Sequence, residues 1–378
     1  MKKRFLGVLL SVAMVAAVLA GCGSSGAKET AAPAGSETEA ASEAASGETE
    51  AAGNTGDVIT VGFSQVGAES DWRTANSESM KSTFSTENGY NLIFDDAQQK
   101  QENQITAIRN FIQQEVDYIV LAPVTESGWD TVLQEAKDAD IPVIIVDRMV
   151  DVSDDSLYTT WIGTDALCEG RKAAEWLNGF AEAKGIAASD IHIADIQGTI
   201  GSTAQIGRTK GLEEGVDKYG WDLVAQQTGE FTQAKGQEVM ESMLKQYDNI
   251  NVVYCENDNE AFGAIDAIEA AGKTVGSDIA NGEIMVISFD TTHAGLQDVL
   301  DGKIECDVEC NPLHGPRAEE LIKKLEAGED IDKLNYVDEE IFAHDDTVKS
   351  VKATNSLDEE KDFDVTPLTQ DILDKRAY

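Results

Sequence analysis

Polar and aromatic residues recur in this sequence where predicted strands end. The residues directly after β-rich runs are Ser64, Pro123, Asp147, Arg148, Gln197, Gly198, Asn257, Asp258 and Asp290, and the aromatic residues in flanking loops are Trp72, Trp129 and Phe231. Each hydroxyl of a neutral polyol donates and accepts hydrogen bonds, and the C–H faces of its ring pack on aromatic side chains. The set therefore indicates a site for a polyhydroxylated ligand, although each residue alone is equally typical of a helix N-cap or a turn.

The pattern that positions these residues begins at Asp57 and alternates short β-rich runs with amphipathic stretches. The predicted strands are Val58–Phe63, Asn91–Phe94, Tyr118–Leu121, Pro142–Val146, Tyr158–Ile162, Ile191–Ile196, Leu223–Ala225, Val252–Cys255 and Ile284–Phe289. Between them, Gln101–Gln113 has apolar residues at helical spacing. This order predicts parallel sheets covered by helices on both faces. It continues for about 300 residues, more than one open sheet usually holds, so the sequence predicts two doubly wound lobes.

Composition narrows the function classes. The chain has 378 residues, with 29 Lys and Arg against 70 Asp and Glu, for a formal net charge of −41. Such an acidic protein repels phosphates, which argues against a nucleic-acid partner. Hydrophobic residues make up 42% and charged residues 26%. These fractions are typical of a folded globular protein and exclude disorder of the whole chain.

The first residues have the pattern of an export signal. Three basic residues within the first four precede Phe5–Ala20, an uncharged apolar run too short to span a bilayer comfortably. The run ends in Leu-Ala-Gly-Cys, which resembles the bacterial lipoprotein box. We therefore expect residues 1–21 to be a lipoprotein signal peptide and Cys22 to be the lipidated first residue of the mature protein. The alternative is an ordinary cleavage site with an accidental Cys.

The segment after Cys22 is predicted to be a tether. Residues 24–56 contain no aromatic residue and consist mainly of Ala, Ser, Gly, Thr and Glu. Such a composition buries too little apolar area to offset chain entropy. A random coil of this length spans about 30 Å, enough to lift a folded body off a membrane. Residues 22–56 are therefore expected to be a lipidated Cys followed by a disordered tether.

Several short runs carry a resemblance to a known family. They are Gly62 to Gly67, Trp72-Arg73, Gln98 to Gln104, Ala122-Pro123, Val146-Asp147-Arg148, Gln197 to Ser202 and Asn257-Asp258. Through them, the chain from Val58 to Tyr336 resembles the sugar-binding proteins of ABC transporters, and within that family the galactofuranose-binding members. The resemblance implies an α/β type I periplasmic binding protein fold, with two doubly wound parallel-sheet lobes joined by a three-segment hinge.

The resemblance also implies domain boundaries. Residues 57–163 with 311–340 would form the N-terminal lobe, and residues 164–310 with 341–350 the C-terminal lobe. Residues 351–378 would be a C-terminal tail that packs on the body.

The same resemblance implies which residues bind the sugar. The expected ligand-binding residues are Ser64, Glu69, Trp72, Arg73, Asp147 and Arg148 from the first lobe, and Arg208, Phe231, Asn257, Asp290 and Glu309 from the second lobe and its hinge. Two stretches depart from the family pattern, Cys306–Pro312 and the charge-rich loop around Asp71. Because both adjoin expected contacts, they put the identity of the sugar in doubt.

Signatures of catalysis and of metal binding are weak. The sequence has no GxSxG motif, no GxGxxG motif is formed at Gly198 to Gly201, and the four His show no metal spacing. Cys306 and Cys310 lie four apart on a predicted strand, which puts their Cα atoms about 13 Å apart and excludes a disulfide between them. We expect no enzyme activity, no cofactor and no metal, and buried thiols that act as small hydrophobes.

Three functions remain open from the sequence. The leading one is a monomeric, extracytoplasmic solute-binding protein, anchored by lipid to the outer face of the cell membrane, that delivers a galactofuranose-like hexose or pentose to an ABC transporter permease. The second is a sugar or autoinducer sensor that docks on a signalling receptor. The third is a surface glycosidase, since two of Asp147, Asp290 and Glu309 could supply its pair of carboxylates.

Overall fold

The computed structural model describes residues 58–378. The predicted signal peptide, Cys22 and the predicted tether lie outside these residues. Within residues 58–378, every helix is too short or too polar to cross a lipid bilayer.

Strands and helices alternate along most of the described chain. The strands are β1 (Ile59–Gln65), β2 (Tyr90–Asp96), β3 (Tyr118–Leu121), β4 (Val143–Val146), β5 (Thr160–Gly163), β6 (His192–Gln197), β7 (Asp222–Thr228), β8 (Val252–Cys255), β9 (Thr274–Val275), β10 (Glu283–Asp290), β11 (Cys306–Glu309), β12 (Leu334–Tyr336), β13 (Ile341–Ala343), β14 (Ser350–Thr354), β15 (Glu360–Asp364) and β16 (Thr366–Pro367). The helices are α1 (Asp71–Thr83), α2 (Gln101–Gln113), α3 (Asp130–Asp138), α4 (Ala166–Lys184), α5 (Thr203–Tyr219), α6 (Gln233–Gln246), α7 (Asp258–Ala270), α8 (His293–Leu300), α9 (His314–Glu326) and α10 (Gln370–Leu373). Each predicted strand overlaps an observed one, and the predicted helix coincides with α2.

Apart from β14 and β15, which pair only with each other, the strands form two separate sheets. The first sheet has the order β12-β5-β4-β3-β1-β2, and all its pairs are parallel. The second has the order β16-β13-β11-β10-β8-β6-β7, with β9 paired to β10, and its one antiparallel pair is β11 with β13. Two doubly wound lobes are thereby confirmed. Because their parallel strands point the same way, the carboxyl ends in each sheet meet at one edge, where ligands bind in this architecture.

The chain passes between the two sheets three times. It leaves the first sheet after β5, returns after β11 to form α9 and β12, and crosses again from β12 to β13. These three crossovers confirm the expected three-segment hinge. A connection of this kind permits the lobes to move as rigid bodies around a few residues.

Apolar side chains fill both faces of each sheet and fix the strand ends. In the first lobe, α2 and α3 cover one face with residues such as Phe111 and Leu133, and α1 and α9 cover the other with Met80 and Ile322. In the second lobe, α4 and α5 cover one face, and α6, α7 and α8 cover the other. Close packing of this type has low compressibility, so residues just past the strands are held in defined positions.

The last part of the described chain packs on the second lobe. The β14–β15 hairpin lies against α4, and β16 adds a parallel strand beside β13. Leu373 of α10 is fully buried. This segment therefore covers the lobe and ends near the hinge.

The four cysteines of residues 58–378 are free and buried. Cys306 begins β11 and Cys310 follows its end, so the extended backbone separates them as the sequence predicts.

Candidate functional site

A pocket lies between the lobes, at the carboxyl ends of the strands of both sheets. Its lining comes from Glu69, Ser70, Trp72, Arg73, Asp147 and Arg148 of the first lobe and from Ala204, Arg208, Phe231, Asn257, Asp290 and Cys310 of the second lobe and its hinge. The free cavity within it is only about 20 Å³, close to the size that holds a single water molecule. The lining side chains of the two lobes therefore lie close together in this structure.

Two acids and two bases form the first-lobe side of the pocket. Arg73 lies at the start of α1, where Ser70 caps the helix, and its guanidinium is 2.9 Å from Glu69 Oε1 and 2.8 Å from Asp147 Oδ2. Arg148, which follows β4, lies 3.8 Å from Glu69 and 3.9 Å from Asp147. The four charges balance within a buried cluster, which is the condition for keeping ionised groups away from water.

This cluster keeps hydrogen-bonding capacity for a ligand. Glu69 Oε2 and Arg148 Nε are buried and have no hydrogen-bond partner within the described residues. Buried polar atoms in native proteins are nearly always paired, so a ligand that supplies hydroxyl donors and acceptors would complete these two. The pair offers one acceptor and one donor, as a polyol requires.

The charges of this cluster also shift one another's pKa values. Burial alone would raise the pKa of Asp147, but Arg73 and Arg148 outweigh burial and hold it below its usual value. Burial and the neighbouring Arg73 guanidinium lower the pKa of Arg148 to about 10. At neutral pH both groups are therefore ionised, and Asp147 acts as a hydrogen-bond acceptor.

Arg208 of α5 organises the second-lobe side. Its Nε lies 2.7 Å from Glu169 Oε2 and its Nη2 lies 3.3 Å from Asp290 Oδ1. Its Nη1 also donates to the main-chain carbonyl of Glu256. Burial raises the pKa of Asp290 well above its usual value, although Arg208 opposes that rise. Arg208 thus aims Asp290 at the pocket and compensates part of the buried negative charge.

Two aromatic side chains close opposite sides of the pocket. Trp72 is buried, and its indole N–H donates to the Cys310 carbonyl at 2.6 Å. Phe231 lies in the loop between β7 and α6, where Asn257 Nδ2 donates to its carbonyl at 3.3 Å. The guanidinium of Arg148 lies 5.3 Å from the centre of the Phe231 ring, a cation–π contact that crosses from one lobe to the other.

Direct hydrogen bonds between the lobes show that the structure is closed. The Asp71 N–H donates to Asn259 Oδ1 at 2.9 Å on one side of the pocket. On the other side, the Glu126 N–H donates to the Gly201 carbonyl at 3.0 Å, and Thr203 Oγ1 donates to Glu126 Oε1 at 2.6 Å. A ligand in the pocket would therefore touch both lobes at once.

Nine of the sequence-predicted binding residues line this pocket, and two do not. The nine are Glu69, Trp72, Arg73, Asp147, Arg148, Arg208, Phe231, Asn257 and Asp290. Ser64 is fully buried in β1 behind the lining. Glu309 instead faces the last residues of the chain, where its carboxylate lies 2.7 Å from Arg376.

Sequence reasoning missed three lining residues, Ser70, Ala204 and Cys310. Ser70 had a recognisable signal, because it is the N-cap of the helix that begins next to Trp72. Ala204 lines the pocket only because α5 begins there. Cys310 directly follows β11 in the hinge, where the sequence indicated only a buried thiol.

One group of residues has the spacing of a metal site. The ligand atoms of Glu169, Cys310 and Glu339 all lie within 4.8 Å of one another. The two carboxylates of this group already have protein partners. Glu169 pairs with Arg208, and Glu339 Oε1 accepts a hydrogen bond from the Asn311 N–H at 2.8 Å. Both also contact the hydroxyl of Thr164. These bonds satisfy the group as part of the hinge.

The chain is similar to several known proteins. The family model described as a periplasmic binding protein domain matches residues 61–314. The galactofuranose-binding protein YtfQ of Escherichia coli is 38% identical over 304 residues, which cover 79% of this chain and 92% of that protein. A crystal structure from Mycobacterium smegmatis in complex with β-D-fucofuranose is 46% identical and has a TM-score of 0.71, with 76% of this chain and 92% of that one covered. The periplasmic component of the arabinose ABC transporter from Shewanella sp. ANA-3, bound to α- and β-L-arabinofuranose, is 44% identical with a TM-score of 0.70, covering 75% of this chain and 92% of that one.

Proposed function

The chain belongs to the periplasmic binding protein family, and from this premise we propose that it captures one furanose sugar between its lobes and delivers it to an ABC transporter permease. The family consists of binding proteins rather than enzymes, so its carboxylates serve to bind and not to hydrolyse. Members of the family act outside the cytoplasm.

The observation that carries this proposal is the composition of the pocket. Charged hydrogen-bonding groups face the pocket from both lobes, led by Asp147 and Arg148 on one side and Arg208 and Asp290 on the other. Trp72 and Phe231 offer apolar surface to the C–H groups of a ring. Charge-assisted hydrogen bonds of this kind are short and directional, so they can distinguish the hydroxyl pattern and ring form of a sugar.

Three relatives favour a five-membered ring. One is a galactofuranose-binding protein, one is bound to β-D-fucofuranose and one to L-arabinofuranose. All three are at least 38% identical to this chain. We therefore expect a hexose or pentose with the galacto arrangement of hydroxyls, bound as the furanose.

A thermal-shift screen tests this proposal. The ligands are D-galactose, D-fucose and L-arabinose, whose solutions contain some furanose, and the controls are their methyl pyranosides, which cannot change ring size. A ligand at 100 times its Kd stabilises the folded state by about 2.7 kcal/mol. We expect the free sugars to raise the melting temperature and the methyl pyranosides to leave it unchanged. Equal shifts from both sets would contradict a furanose site, and no shift with any of the sugars would contradict the function itself.

If the sugar packs against Phe231, displacing the Phe231 ring should weaken sugar binding. A Cβ atom added at Gly198 would overlap the ring of Phe231, so Gly198→Ala should push that ring out of place. Burial of a Phe side chain is worth about 1.5–3 kcal/mol, and loss of even the lower amount weakens binding roughly tenfold. Calorimetric titration with D-galactose measures this change. Gly179→Ala, where an added Cβ meets only Val348 at 3.4 Å, should leave affinity unchanged, and equal affinity in both variants would mean that Phe231 does not contact the sugar.

We further propose that Cys22 anchors the protein to the membrane. The proposal is supported by the basic and apolar leader and by the small residues that precede this Cys. Two acyl chains buried at about 0.8 kcal/mol per CH₂ make a durable anchor. Cys22→Ala should therefore release the protein or leave its leader attached, which membrane fractionation and mass spectrometry of the N-terminus would detect. Cys168→Ala, which changes a buried thiol of the second lobe, is the control, and a processed, membrane-bound Cys22→Ala protein would overturn the anchor.

A further inference from the structure

The last residues of the described chain reach into the base of the hinge. Arg376 Nη2 lies 2.7 Å from Glu309 Oε1 and 3.0 Å from Thr291 Oγ1, and Arg376 Nη1 lies 3.3 Å from Glu340 Oε2. The Tyr378 hydroxyl also donates to Glu309. One guanidinium thus bridges three separate segments of the chain.

Each segment that Arg376 contacts adjoins the pocket or the hinge. Thr291 directly follows Asp290, and Glu309 directly precedes Cys310, whose carbonyl accepts the Trp72 indole N–H. Glu340 lies in the crossover from β12 to β13. Arg376 itself does not line the pocket, so it can act on a ligand only by holding residues that do.

We propose that Arg376, supported by Tyr378, is a positioning residue of the interlobe pocket, which holds the Asp290 loop and the Glu309–Cys310 crossover in the geometry that binds sugar. The expected effect of Arg376 on sugar affinity rests on the proposed function, whereas its expected effect on the conformation of these two segments does not. The proposal assigns a role in binding to a segment beyond residues 61–314, which the family model matches.

Burial and backbone strain both support this role. The side chains of Arg376 and Glu309 are 12% and 4% exposed, so their ion pair is shielded from water and salt. Asp290 and Thr291 have φ angles of 105° and 53°. Residues other than Gly adopt such angles only where the surroundings hold them, and the Thr291 hydroxyl is held by Arg376.

The segment that carries Arg376 is itself well anchored. Leu368 and Leu373 pack into the core of the second lobe, and the guanidinium lies 5.2 Å from the Phe342 ring and 4.7 Å from the Tyr378 ring. A positioning group must have its own conformation fixed by packing, and this one has.

The test compares Arg376→Gln with Lys375→Gln. Lys375 is the neighbouring cation, but its side chain is 71% exposed and pairs with Asp371 on the surface. Without Arg376, we expect the Asp290 loop to sample other conformations, and the apparent Kd rises in inverse proportion to the fraction that remains competent. D-galactose titration of the full chain should show at least about fivefold weaker binding for Arg376→Gln and no change for Lys375→Gln. Tyr378→Phe should shift the Kd in the same direction by less, and it provides the measurement if Arg376→Gln does not fold.

Amide hydrogen exchange without sugar gives an independent readout. We expect faster exchange in residues 290–292 and 306–312 of Arg376→Gln than in the natural chain, and no change in β1–β4 of the other lobe. A lower melting temperature with unchanged affinity and unchanged exchange would overturn the proposal, since Arg376 would then be structural only. If the natural chain binds neither D-galactose nor L-arabinose, the proposed function fails, and the exchange comparison alone decides whether Arg376 positions these segments.

Discussion

Replacing Arg208 with methionine is expected to lower the free energy of unfolding by about 3–5 kcal/mol, the cost of leaving buried charges without their partner. Arg208 is 1% exposed, and it compensates the carboxylates of Glu169 and Asp290. Methionine fills much of the same volume but supplies no charge and no donors. Urea unfolding followed by circular dichroism measures the difference, and D-galactose binding should be lost along with the clamp on Asp290.

Two variants make this prediction specific. Lys210→Met lies on the same helix, but its side chain is 59% exposed and lies 4.0 Å from Glu214, so it should change stability by less than about 0.5 kcal/mol. Arg208→Lys keeps the charge but cannot form the planar fork of bonds to both acids, so it should restore only part of the stability. Equal stability of Arg208→Met and Lys210→Met would show that the buried ion pairs do not hold the second lobe together.

Raising the pH from 6.5 to about 8 is expected to lower the free energy of unfolding by roughly 1–2 kcal/mol, and the buried Asp195 is a main source of that loss. This carboxyl belongs to a residue of β6 and is fully buried, and burial raises its pKa to about 8. Burial also raises the pKa of Glu305 to about 7. In this window the folded chain keeps protons that the unfolded chain has released, so stability is present at lower pH and is lost as the pH rises through the folded-state pKa. Burial lowers the pKa of His314 to about 4, so it remains neutral in the folded state across the window.

Asp195→Asn isolates the contribution of this carboxyl. The amide resembles the protonated acid in shape and does not ionise, so the free energy of unfolding should fall less steeply between pH 6.5 and 8 than in the natural chain. Asp248→Asn, at an exposed position of the same lobe, should keep the natural pH dependence. If the free energy of unfolding of Asp195→Asn depended on pH as steeply as that of the natural chain, a group other than Asp195 would be responsible for the pH dependence.

The polar residues just past the strands could be predicted because a buried strand is recognisable from the composition of a few consecutive residues. Val143–Val146 has the composition of a buried strand, and the first-lobe sheet is parallel, so Asp147 and Arg148 had to lie at its carboxyl edge. The same logic placed Asn257 after β8 and Asp290 at the end of β10. Short-range pattern and sheet topology therefore account for these four lining residues. The resemblance to the family, and not the strand pattern, implied Glu69, Arg73 and Arg208.

Two of the predicted binding residues lie away from the pocket, and contacts distant in sequence explain why. Glu309 also ends a strand, but β11 is paired with β13 and its last carboxylate meets Arg376, which lies 67 positions further along the chain. Ser64 lies in β1 between Phe63 and Gln65, and its side chain faces the packed interior. The spacing of residues in the sequence predicts neither the path of residues 351–378 nor the direction in which the Ser64 side chain points.

A crystal structure of the protein grown with D-galactose would show directly whether a furanose binds between the lobes. We expect electron density for one five-membered sugar ring, bounded by Trp72 and Phe231, with hydroxyls within about 3.2 Å of Asp147, Arg148 and Asp290. We also expect the interlobe hydrogen bond from Asp71 to Asn259 to be retained. A six-membered ring in the pocket would contradict furanose recognition, and a sugar bound outside the pocket would contradict the site.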